Sequence, residues 1–171
     1  MTIQDEMAAW DGKSAHDIGK IYNGFNIQTG FPRNVIALMA QANCQKAASW
    51  LLKHHLENDN KISQPETKSI FKLLNTLDHW ESKLHVLQSL PFLNIPNAYK
   101  TALEQFLREC LTETNKFVRA WAYNGFYELA KQYPEYEEET RLFFDMAMRD
   151  EAPSVRARIR NLLKQGFITS L

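Results

Sequence analysis

The sequence predicts an all-α protein built from antiparallel helix pairs. Three observations carry this. Helical periodicity dominates, and strand-like alternation bounded by turn residues is nearly absent. All six prolines (Pro32, Pro65, Pro91, Pro96, Pro134 and Pro153) fall between or at the edges of the apolar-periodic segments. Proline breaks helix interiors and suits first turns, so these positions punctuate a series of helices. Finally, two segments of the C-terminal half match each other at a fixed offset, which is how stacked helix pairs announce themselves.

Taken in order, a short helix is expected over 3–10. Ser14-Ala15-His16-Asp17 then reads as a capping box with Asp in place of Glu, opening a helix to about residue 23. The stretch 23–33 holds Gly24, Gly30 and Pro32 and reads as a loop, whose aromatics Tyr22, Phe25 and Phe31 cap an end of the stack. One long helix is expected over 34–56, then a polar loop over 57–64. Further helices are expected near 66–77, 79–90, 97–112, 116–132, 136–149 and 153–165. Segment 97–112 buries one stripe, with Tyr99, Ala102, Leu103, Phe106, Leu107, Cys110 and Leu111 at three- and four-residue steps. Segment 116–132 is apolar nearly all round, the mark of a helix covered on more than one side.

At an offset of 37 residues Phe106 meets Phe143, Glu113 meets Asp150, Val118-Arg119 meets Val155-Arg156, Asn124 meets Asn161, and Phe126 meets Leu163. The layout is an apolar helix, an acidic turn, then Val-Arg opening a second helix, and it resembles the HEAT-repeat family. The likeness is clearest over 97–133 and 134–170. The segment 69–90 lacks Val-Arg, and 1–56 fits as diverged or capping. The resemblance implies one domain over 1–171, a right-handed α–α superhelix (a HEAT-like, armadillo-type solenoid) of about four helix pairs. It also implies a non-enzymatic scaffold that binds a protein or peptide on its concave face. A minority of such proteins, related to alkylation-repair DNA glycosylases, bind nucleic acid, which gives the alternative reading; no residues here match a glycosylase catalytic pattern.

The candidate contact row follows from the helical wheel. Arg119, Tyr123 and Tyr127 run at four-residue steps along one flank, and Arg156, Arg160 and Lys164 occupy the matching flank 37 residues on. Tyr and Arg combine contact area with directed hydrogen bonds, as partner surfaces require. The plainer reading is structural. The arginines then form a ladder to the acid six residues earlier or to the neighbouring repeat's acid, and the tyrosines cover the core edge.

Composition narrows the classes. Of 171 residues, 44% are apolar, which excludes disorder for the whole chain, and 20 basic against 20 acidic side chains argue against gripping nucleic acid with the entire surface. Within that balance, 152–171 carries Arg156, Arg158, Arg160 and Lys164 and no acid. Cys44 and Cys110 read as buried hydrophobes, and no cofactor or metal pattern is present: Glu81 and His85 could share a helix face, and His54 and His55 point to different sides. The start MTIQDEM lacks a signal-peptide pattern, and no apolar run reaches membrane-spanning length, so a cytoplasmic location is expected.

Overall fold

The computed structural model describes residues 1–166, so the end of the expected repeat 134–170 lies outside the described residues. These residues form ten α-helices with short 3-10 turns and no strand. They fall into two compact units, one over Met1–Phe92 and the other from Leu93 onward.

In the first unit, α1 (Ile3–Ala9) opens on a capping box: Asp5 donates its N–H to Thr2 Oγ1, and the Asp5 carboxylate accepts the Thr2 N–H. Helix α2 (Ala15–Phe25) is capped by Ser14, which accepts the Asp17 N–H at 3.1 Å. The Ser14 N–H itself goes to Asp11, 2.9 Å away, so the expected reciprocal bond to Asp17 is replaced. Helix α2 continues past residue 23. The loop therefore shrinks to 26–30, where Gly30 at φ 79° lets α3 (Phe31–Leu38) start with Pro32 in its first turn.

The single helix expected over 34–56 is two, α3 and α4 (Gln45–Glu57), with a turn over 39–44. Ala40-Gln41-Ala42-Asn43 holds no proline or glycine to mark the break in the sequence. Met39 and Cys44, which flank the turn, are both fully buried. The turn is pinned by buried Gln45, whose amide donates to the carbonyls of Met39 and Thr76 (both 3.1 Å) and accepts the Asp78 N–H (3.2 Å). Helix α5 (Gln64–Lys72) has the second capping box, Ser63 with Glu66, and α6 (Trp80–Ser89) follows a 3-10 turn. Helix α4 is the centre of this unit, packed by α1, α2, α3 and α6. Its Leu51, Leu52 and Leu56 are essentially inaccessible.

The second unit has α7 (Lys100–Leu111), α8 (Lys116–Gln132), α9 (Glu137–Asp150) and α10 (Pro153–Lys164). Helix α8 is its axis. Residues 122–130 are buried without interruption, with α7, α9 and α10 all packed on it, as its all-round apolar sequence predicts. Asn115 caps it, accepting the N–H groups of Phe117 and Val118. At its far end the Gln132 amide holds the backbone of Leu93 and Ile95. Cys44 and Cys110 are buried free thiols, as expected.

Candidate functional site

Arg119 sits one turn inside α8. Its guanidinium folds back onto the carbonyls of Glu113 (3.0 Å) and Thr114 (2.9 Å), which close the α7–α8 turn. It also forks onto Glu151 with Nε–Oε1 at 2.8 Å and Nη2–Oε2 at 3.2 Å. This is the ladder, reached through a partner one residue from the expected one: Glu151 in the α9–α10 turn, not Asp150, which is exposed. Glu113, six residues before Arg119, supplies its carbonyl. Burial pushes the Glu151 carboxyl up, but Arg119 and the Ala152 N–H together hold it below its ordinary value. Such planar, two-pronged geometry is what Arg offers and Lys does not.

Tyr123 and Tyr127 do not stand on an open surface. They are 8% and 3% exposed and pack into a core cluster with Phe144, Ala147, Val155, Ile159 and Leu162. The Tyr123 ring meets Phe144 edge-on at 6.2 Å, and burial raises both phenols. The physical reason is direct: the flank of α8 carrying Arg119, Tyr123 and Tyr127 is the flank on which the second helix pair packs. The two rows therefore do not merge into one accessible patch of six residues.

Arg156, Arg160 and Lys164 occupy the equivalent flank of α10, beside the buried line Val155, Ile159 and Leu162. Arg160 and Lys164 are exposed, and Arg156 is half-buried. The Nε of Arg156 is inaccessible and has no hydrogen-bond partner. Among the described residues none of the three meets a carboxylate. Lys46, Lys100, Arg108 and Arg119, by contrast, each do.

One pair escaped sequence reasoning. Arg158 sits over Trp121, its Cζ 4.1 Å from the ring centroid, and burial lowers its pKa. The signal was available: 121 and 158 are also 37 apart, so equivalent positions on α8 and α10 are neighbours.

Other sites are less promising for chemistry. A shallow groove of about 430 Å³ beside the ladder is lined by Glu113, Arg119, Tyr123, Met146, Asp150 and Glu151. A more apolar one of about 380 Å³ lies between α3 and α5, floored by Ile36, Ala37 and Leu73 with Arg33 and Lys72 in its wall. Ser49 Oγ lies 2.9 Å from His85 Nδ1, a hydroxyl–imidazole contact. Both residues are buried between α4 and α6, and burial pulls His85 down to about 3. Glu81 turns to Lys46 at 2.8 Å instead of joining His85. Among the described residues no group of three or more His, Cys, Asp or Glu could hold a metal ion, and no helix is long and apolar enough to cross a membrane. No family model, curated protein or solved structure matches this chain.

Proposed function

We propose that this chain is a non-enzymatic scaffold of the HEAT-like kind, a short right-handed superhelix working in the cytoplasm, that takes a protein partner on the exposed flank of α10. The single observation carrying this reading is the set Arg156, Arg160 and Lys164: three cations at successive turns with no acid opposite them among the described residues. An acidic partner would supply what is missing. The register of the second unit supports the repeat reading, because Trp121 touches the residue one repeat later and the Arg119 ladder joins one pair to the next. The contact row thus contracts from six residues to three, with Arg119 tying the frame and Tyr123 and Tyr127 filling it.

The test uses the full chain as bait in native lysate treated with nuclease. Wild type should retain a specific protein, and Arg160→Glu with Lys164→Glu should lose it while melting at the same temperature. Unchanged capture by the double variant would reject the surface. Capture that vanishes with nuclease, together with a steep fall in oligonucleotide affinity as salt rises, would replace the protein partner by nucleic acid.

A further inference from the structure

Resting on the reading of α10 as a docking face for a protein partner, we infer that its occupant is a further helix pair of that partner with a glutamate in its inter-helix turn, stacked on α10 as the α9–α10 pair is stacked on α8. The second unit contains its own template for that contact. Ion pairs among the described residues join its helix pairs: Lys100 with Glu135 at 2.6 Å, Arg108 with Glu139, and Arg119 with Glu151 at 2.8 Å. In each, the cation belongs to the earlier pair. The carboxylate lies at the start of the later pair or in the turn between its helices. The joint therefore has a sign, positive on the earlier side and negative on the later.

Of these three cation positions only Arg119 recurs as a cation 37 residues on, at Arg156 in α10; Lys100 and Arg108 give way to Glu137 and Asp145. In Arg119 the Nε donates to Glu151; in Arg156, 37 residues on, the same atom is buried and donates to nothing. Phe126 is fully buried with its ring against Phe143 at 4.9 Å, whereas its equivalent Leu163 is 45% exposed. Where α8 has the covered Tyr123 and Tyr127, α10 has Arg160 and Lys164. A surface that lacks one fork partner and one apolar cover fits a folded pair offering a turn glutamate and an apolar ridge. A phosphate backbone would satisfy the cations and leave Leu163 bare.

The probe is the chain's own second pair. A copy of 134–166, with Glu135→Lys and Glu139→Lys because those positions would face Glu137 and Asp145, is appended to the full-length protein after Leu171 through a flexible Gly-Ser linker, which holds it at high effective concentration. The appended pair should add its helix content by circular dichroism and raise Tm by several degrees. Arg156→Glu should abolish that rise, yet change the unextended chain little, because Arg156 has no carboxylate there. Glu151→Arg in the appended copy should restore it. Arg160→Glu with Lys164→Glu, both exposed, repeats the test should Arg156→Glu itself unfold the chain. An appended segment that stays unhelical, or an Arg156→Glu effect equal in both chains, overturns the inference. If that happens while Arg160→Glu with Lys164→Glu still strips a protein from nuclease-treated lysate, the docking face stands and its occupant is wrong. If capture is also unchanged, both readings fall.

Discussion

The two units differ in the polar contacts buried between their helices, although both have ionic joints: in the first, Lys46 meets Glu81 at 2.8 Å between α4 and α6. In the first, the long-range polar contacts in the core are neutral: Ser49 with His85 at 2.9 Å, Tyr22 with His55 at 3.1 Å, and the Gln45 amide across two turns. All five histidines of the chain lie there. In the second, the joints between helix pairs are ionic, and none of them uses histidine. The contrast teaches that one chain can carry two distinct sensitivities, to acid in one part and to charge loss in the other. Net composition, balanced at zero, conceals this entirely.

Acid gives the largest expected effect. His85 titrates at about 3 when folded and at its ordinary 6.5 when unfolded, because burial disfavours the imidazolium. The unfolded chain therefore binds the proton first. The stability contributed by neutral His85 is complete above pH 6.5 and is lost as pH falls below it, reaching about 5 kcal/mol near pH 3. His54 and His55 are displaced in the same direction by burial. Hydrogen exchange along a pH series should show α4 and α6 opening before α8 and α10. His85→Gln keeps a partner for Ser49 and cannot titrate, so it should flatten that slope. A pH profile identical in the variant would remove His85 as the cause.

Next in size is the ladder. Arg119→Met leaves Glu151 and two turn carbonyls without their donor, and should cost about 2 to 3 kcal/mol by chemical denaturation. The loss should shrink below pH 4.5: the Glu151 carboxyl is held below that value in the folded chain, so its contribution is present above 4.5 and lost as pH falls through its folded pKa. The two units thus weaken over different pH windows. The smallest effect belongs to Tyr22→Phe, which removes one hydroxyl from His55 and should cost about 1 kcal/mol at neutral pH. A cost as large as that of Arg119→Met would erase the distinction between the neutral and the ionic joints.

Much of this was legible in the sequence, and the parts that were not have identifiable causes. The helix over 116–132 and the one opened by Pro153 follow from apolar period and proline placement, and both stand where expected within a residue. The break between Met39 and Cys44 was hidden because it carries no proline or glycine, and the contacts that pin it run from Gln45 to Thr76 and Asp78, more than thirty residues away. Tyr123 and Tyr127 misled for a related reason. A tyrosine row suits a partner surface and the joint between two stacked pairs equally well, and the helical wheel cannot say which neighbour arrives. Asp150 and Glu151 differ by one position: Asp150 is the last residue of α9, whereas Glu151 is its cap with extended backbone. Trp121 and Arg158 share a repeat position, but their unlike chemistry masks the equivalence.

Gln45 holds its two turns through an amide alone. An amide neither gains nor loses a proton across the range where imidazoles and carboxylates do, and salt does not screen it. One side chain fastens the crossing between α3 and α4 to the crossing that leads into α6. When acid has loosened the histidine contacts, this knot should still be tied, so that the first unit comes apart around it and refolds from it.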